Sequence, residues 1–281
     1  MTSTTACSGL SPGASESGVS SQISLADITP VILTYNEEAN LERTLQGLSW
    51  ARSILLVDSF STDETLKIAA RFKNVHVVQR IFDHFAGQCN FGISQVKTKW
   101  VLSLDADYNC STELADEISH LDSQMAGFRA SFKYCVFGKP LRATLYPPRT
   151  VLYRTELAHY VRDGHAHRVH VSGELGKISS HIHHDDRKPI ASWFGAQAKY
   201  AFLEAEKINS SPASDLSWKD WLRTKIVIAP FVVLFYCLVY RMLILDGWRG
   251  IYYSVQRFYA ELLLSLVLLD QKVRRMVDDS H

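Results

Sequence analysis

The chain lacks the features that mark several large function classes. Its five cysteines (Cys7, Cys89, Cys110, Cys135 and Cys237) are scattered and odd in number, and no two form a CxxC pair. That argues against a disulfide framework or a zinc ribbon and for a reducing compartment. The N-x-S sequons at Asn109 and Asn209 are then chance matches. No GxGxxG follows a strand pattern and no GxxxxGK[ST] occurs, so both glycine-rich phosphate cradles are missing. This argues against a dinucleotide dehydrogenase and a P-loop enzyme. Charge of one sign is lacking too: 30 Lys+Arg against 29 Asp+Glu leave +1, no basic field for nucleic acid. Residues 1–27 contain no Lys or Arg and no long apolar run, so they do not read as a signal peptide. Rich in Ser, Thr, Gly and Ala, they are expected to form a disordered tail.

What remains is globular in composition, with 47% apolar and 21% charged residues in 281. Pro30–Thr34, Ser53–Asp58, Val75–Val78 and Trp100–Leu104 are short apolar runs rich in β-branched residues. Helical patterns lie between them at 37–48, 62–72 and 86–96, the second opened by a capping box, Ser61-Thr62-Asp63-Glu64. Alternation of buried strands and helices predicts an α/β fold with a mostly parallel, Rossmann-like sheet covered on both faces. Beyond Asp107 the pattern gives a helix at 111–123, extended stretches at 127–137 and 150–184, then helices at 190–208, 216–245 and 248–276. The expected organisation is a tail over 1–27, a catalytic domain over 28–190 and a helical, membrane-associated region over 191–281.

In open α/β sheets ligands sit outside the carboxyl ends of the strands. Those ends read Thr34-Tyr35-Asn36-Glu37, Val57-Asp58-Ser59, Gln79-Arg80 and Leu104-Asp105-Ala106-Asp107. Asp105 and Asp107, at i and i+2 beyond a buried strand, suit a hard cation that keeps positions open for phosphate oxygens, Mg²⁺ or Mn²⁺. A diphosphate held by metal instead of by a glycine loop fits this pattern.

Thr34-Tyr35-Asn36-Glu37-Glu38, the segment from Val57 to Thr65 and Leu104-Asp105-Ala106-Asp107 resemble three signatures of family 2 inverting glycosyltransferases with the GT-A fold of nucleotide-diphospho-sugar transferases. The second signature has one acid here, Asp58, where the family usually has two. Gln88-Cys89-Asn90, Asp163-Gly164-His165 and His184-Asp185-Asp186-Arg187-Lys188 are similar to the branch of lipopolysaccharide inner-core β-glucosyltransferases acting on heptose. The resemblance implies that Thr34, Tyr35, Glu37 and Asp58 line the base and ribose. It places Arg80, Gln88 and Asn90 near the base or sugar-phosphate, Asp105 on the ribose or sugar and Asp107 on the metal. UDP-glucose is the donor it favours.

An inverting transfer also needs a base for the acceptor hydroxyl. Asp163 is the candidate, with Glu174 and His165 as rivals, while Asp163-Gly164 also reads as a plain turn. His184 is a candidate third metal ligand beside Asp107 and Asp105, and Arg187 and Lys188 are candidates for the diphosphate.

Ile226–Tyr240 is apolar except for Pro230, and twenty helical residues span ~30 Å, so 226–245 is a transmembrane candidate. Flanking Trp and Tyr residues would suit an interfacial belt, and a buried helical hairpin is the alternative. The leading expectation is a metal-dependent inverting transferase acting on a lipid-linked glycan at the cytoplasmic face of the inner membrane, peripheral or with one embedded helix. Polyprenyl phosphate or an exopolysaccharide intermediate is the alternative acceptor. A non-catalytic binding protein on the same frame and a nucleotidyltransferase are the other rivals.

Overall fold

The computed structural model describes residues 22–163, 166–212, 214 and 216–278. The expected tail falls mostly outside these residues, but its last part is ordered. Ile23 is buried and its N–H donates to the Leu121 carbonyl, because an apolar side chain there covers the end of the core.

Strands β1 (Ile28–Thr34), β2 (Ile54–Asp58), β3 (Val75–Gln79) and β4 (Trp100–Asp105) form a parallel set in the order β3-β2-β1-β4. Helices α1 (Leu41–Gln46), α2 (Thr65–Ala69) and α3 (Phe85–Gln95) connect them. The sheet continues through β8 (Arg149–Arg154), β6 (Gly127–Val136) and β11 (Leu175–His184) to β5 (Tyr108–Asn109), with β7 (Lys139–Pro140) paired on β6. Only β6 and β11 are parallel in this second half. Helix α4 (Thr112–Ser119) follows β5, and a separate hairpin is made by β9 (Ala158–Asp163) and β10 (Ala166–Val171).

Alternation along the strands divides the core into two layers. Ile28, Ile32, Leu56, Leu102 and Leu104 face Leu41, Leu45, Leu114 and Ile118 on one side. Val31, Leu55, Val57 and Val101 face Ala86 and Cys89 of α3, with Tyr160 of β9, on the other. All five residues of β2 are buried, which explains its unbroken apolar run.

Three expected helices are shorter than predicted. Asn36 has φ +53° and delays α1, so residues 37–40 remain a turn. The predicted capping box does not form: Ser61 turns to Asn36 and Asp58, and α2 starts only at Thr65. The helix predicted over 216–245 is broken into α6 (Trp218–Arg223), α7 (Ile228–Phe235), a π-turn at Tyr236–Tyr240 and a 3₁₀ turn at Leu243–Asp246. Ile226 (φ +44°) and Met242 (φ +54°) end the helical path on either side. An α7 of eight residues is about 12 Å long. No helix among the described residues is long and apolar enough to cross a membrane, which overturns the expectation of a spanning segment at 226–245.

The C-terminal helices pack on the sheet domain. Helix α5 (Ile190–Ser210) meets α8 (Trp248–Asp278) through Ala201, Ala205 and Ile208 against Leu264, Val267 and Leu268. Arg223 of α6 bonds Glu204 of α5 (3.0 Å) and Glu261 of α8 (2.8 Å). The Tyr253 hydroxyl of α8 accepts the Leu145 N–H of the sheet domain at 3.0 Å.

Candidate active site

The carboxyl ends of β1, β2 and β4 lie side by side because the three strands are parallel and in register, Thr34 opposite Asp58 and Leu33 opposite Asp105. Tyr35 stands exposed at the rim. Asp58 is fully buried, and its carboxylate accepts from the Thr34 hydroxyl, Ser61 N–H and hydroxyl and the Gln79 amide. It braces the turn after β2, with both oxygens occupied.

The short strand β5 follows the Asp105-Ala106-Asp107 turn directly and pairs with the last residues of β11, Tyr108 opposite His184. The Asp185 N–H donates to the Asp107 carbonyl at 3.0 Å. This pairing brings two segments far apart in sequence into one site: His184 Nε2 lies 3.0 Å from Asp107 Oδ2. The imidazole sits among the rings of Tyr108, Tyr134 and Tyr146, with centroids 4.9–5.3 Å away. Burial would lower the pKa of His184, but the charge of Asp107 and the hydrogen bond to it outweigh that and raise it.

Among the described residues, Asp107 Oδ1 and His184 Nδ1 are buried without a hydrogen-bond partner. A buried carboxylate oxygen left open beside an imidazole is a fitting donor pair for a divalent cation. No group of three His, Cys, Asp or Glu side chains suited to a metal is found among the described residues. Asp105 instead faces Arg149, 4.0 Å away.

A second cluster flanks the first. Lys188 Nζ lies 2.5 Å from Glu37, whose other oxygen accepts from Asn40 at 2.9 Å. Asn40 also donates to Asp186 and accepts the Arg187 N–H. Burial raises the Glu37 carboxyl against the pull of Lys188, and Asp107 adds to the rise, giving about 7. For Lys188 burial acts downward, and the charge of Glu37 reverses it to a net rise. Arg187 is held by Asp185, with its Nε and Nη2 both 2.9 Å from the carboxylate.

Other expected site residues have structural partners. Arg80 forks onto Asp83 with two 2.8 Å bonds and reaches Gln88. Gln88 is buried and bridges Ser59 and the Arg80 carbonyl. Asn90, expected near the base or sugar-phosphate, gives its amide to the Tyr160 carbonyl and accepts the Tyr160 N–H, so it holds β9 against α3. Asp163 closes β9 opposite Ala166; its side chain, Gly164 and His165 lie outside the described residues. Glu174 is removed from the candidates for the base. It precedes β11, whose far end carries His184, and ten strand residues span roughly 30 Å.

Sequence reasoning missed three groups at the site. Arg149 stacks on Tyr146 at 4.5 Å and donates to the Tyr108 hydroxyl, bringing a cation to Asp105. Tyr146 bonds Tyr108 at 2.6 Å. The hydroxyl pKa of Tyr200 on α5 is raised by burial first and then by the charges of Asp105, Asp107, Glu37 and Asp186. Only the cation beside a DxD could have been sought from sequence, and nothing local marks Arg149 as that cation.

A parallel β3-β2-β1-β4 set ending in a DxD turn, with a mixed half-sheet behind it, is the arrangement of the GT-A fold. The glycosyl transferase family 2 model matches residues 29–170, half of the chain, and the protein belongs to that family of enzymes. It is similar to an uncharacterized glycosyltransferase of Rickettsia bellii (strain RML369-C), 35% identical over 102 residues, covering 36% of this chain and 34% of that one. It is also similar to the lipopolysaccharide core biosynthesis glycosyltransferase LpsC of Rhizobium meliloti (strain 1021), 26% identical over 137 residues, covering 46% and 49%. The chain thus spans about a third to a half of the curated relatives it matches. Among solved structures it resembles S. aureus TarS 1–349 in complex with UDP-GlcNAc (14% identity, TM-score 0.43, covering 87% and 92%). It also resembles glucosyl-3-phosphoglycerate synthase of Mycobacterium tuberculosis with phosphoglyceric acid (16%, TM-score 0.46, 65% and 79%).

Proposed function

We propose that this glycosyltransferase moves a hexose, glucose in the favoured case, from a UDP-sugar to a lipid-linked glycan of the lipopolysaccharide-core type, with inversion at the anomeric carbon. The pairing of Asp107 with His184 carries the reading, because it sets an open carboxylate oxygen beside a second donor at the rim of the sheet. The similarity to LpsC, named for lipopolysaccharide core biosynthesis, supports the acceptor class. In this reading the protein works peripherally at the cytoplasmic face of the inner membrane.

In this reading Tyr35 and the turn braced by Asp58 receive the nucleoside, and Asp105 orients the ribose or sugar. When bound, Mg²⁺ or Mn²⁺ held by Asp107 and His184 would supply positive charge for the diphosphate. Arg149, pinned by Tyr146 and Tyr108, adds a fixed cation on the Asp105 side. Asp163 takes the proton of the acceptor hydroxyl as its oxygen attacks the anomeric carbon and the bond to the diphosphate breaks.

The test is a screen of UDP-sugars with purified protein, Mn²⁺ or Mg²⁺, and either heptose-containing core acceptors or extracted polyprenyl phosphate. Transfer to the core acceptor, lost in Asp107→Asn with the fold intact, is expected. Full activity of Asp107→Asn would overturn the mechanism. Transfer only to polyprenyl phosphate would overturn the acceptor.

A further inference from the structure

Apolar side chains that a soluble domain would bury are turned outward on two adjoining helices. On α7, Ile228, Phe231, Phe235 and Val239 of the turn that follows form one stripe, with Phe231 59% and Phe235 65% exposed. On α8, Val255, Leu262, Leu266 and Leu269 form a second, while the opposite face packs on the protein through Tyr253, Leu264, Val267 and Leu268. Phe231 meets Phe258 edge to face, with centroids 5.4 Å apart, and joins the two stripes. Exposed apolar patches of more than a few hundred Å² mark interaction surfaces.

The charges around this face identify its partner. Residues 216–269, which span both stripes, contain six Lys or Arg and three acids. The three acids are engaged within the protein, Asp220 and Glu261 with Arg223 and Asp246 with Arg142. At the border three bases lie over tryptophans: the exposed Lys219 over Trp218 and Lys225 over Trp221 (4.7 Å), and the half-buried Arg249 over Trp248 (4.5 Å). A cation above an indole at the edge of an apolar field suits the headgroup level of a bilayer. The surface is also two helices wide, broader than the single a/d seam with which a second copy of α8 would pair.

We propose that α7 and the outer stripe of α8 form a platform that lies in one leaflet of an anionic bilayer, without crossing it, its Trp–Lys/Arg border at the phosphates. The platform continues to the active site. Phe137, 60% exposed, reaches Trp248 (5.9 Å) and Tyr252 (6.1 Å). Behind it a cleft lined by Arg187, Lys188, Trp193 and Gln256 leads to the Glu37–Lys188 pair. A glycan anchored in the same leaflet would enter there. The docking deepens the reading of a lipid-linked acceptor and rests on it for its purpose, but it is measured without donor or acceptor.

The experiment is co-sedimentation of the full chain with phosphatidylglycerol/phosphatidylcholine vesicles, compared with pure phosphatidylcholine. Binding to the anionic vesicles that weakens with salt is expected. The paired change Phe231→Glu and Phe235→Glu should reduce it about tenfold or more, and Lys219→Glu with Lys225→Glu should abolish the anionic preference. Ile81→Glu, also exposed but on the sheet domain, should change nothing. Circular dichroism checks each fold. A measurement on the unsubstituted protein is independent of the variants: lipids brominated near the headgroup should quench tryptophan fluorescence more than lipids brominated deep in the chain. Absence of vesicle binding, unchanged binding in the Phe231/Phe235 variant, or a dimer in sedimentation equilibrium that this variant dissolves would each overturn the proposal. Loss of vesicle binding with transfer to a delipidated acceptor retained would sink the platform and spare the chemistry.

Discussion

His184 donates to Asp107 across the β5–β11 pairing, with Nε2 and Oδ2 3.0 Å apart. The proton on His184, held there by Asp107, must leave before a cation can share the two groups. Mn²⁺ binding should therefore release protons and weaken as pH falls. Replacing His184 by Ala should lower metal affinity about 10–100-fold, read as a smaller Mn²⁺-dependent rise in melting temperature with UDP present. An unchanged rise would remove His184 from the metal site.

The Asn90 side chain makes two bonds to the Tyr160 backbone, 2.8 and 3.0 Å. Asn90→Ala should cost about 1–2 kcal/mol of stability in urea unfolding. The donor KM should stay within about twofold, since the amide is spent on β9. A large rise in donor KM at unchanged stability would instead return Asn90 to the sugar-phosphate.

Glu37 titrates near 7 in the folded protein, against 4.5 for the free group. Between these values the fold holds a proton that the unfolded chain releases. The associated stability is complete below 4.5 and is lost as pH rises through 7, while Lys188 keeps its proton throughout. From pH 5 to 8 the metal-free protein should lose on the order of 2–3 kcal/mol relative to Glu37→Gln. Parallel pH profiles of denaturant unfolding for the two proteins would refute this.

Arg223 sits among Glu204, Asp220 and Glu261, joining α5, α6 and α8. Arg223→Ala leaves three acids without their cation and should destabilise the C-terminal packing by about 3–5 kcal/mol. Limited proteolysis should then cut near α6 first. A cleavage pattern like that of the unsubstituted protein would show that the apolar α5–α8 contact alone holds the region.

The parallel half-sheet and its DxD turn were legible because unbroken apolar runs and strand-end acids are local signals. Ser61 misled because a hydroxyl that could cap α2 is claimed by the buried carboxylate of Asp58, a long-range demand no local pattern displays. The Asn90 amide is claimed in the same way, by a partner on a distant hairpin. Arg149 was invisible because only the antiparallel return of β8 beside β4 carries it to Asp105. Apolarity over 226–245 was read correctly as apolarity and wrongly as one helix, since hydropathy carries no information on the left-handed turns at Ile226 and Met242.

The reach of β11 has a practical consequence for anyone trimming the gene. The family match stops at residue 170, yet His184, Asp186 and Lys188 come afterwards and complete the cation and carboxylate clusters. A fragment cut at the family's edge would keep the motif by which it is recognised and lose half of the groups that surround it.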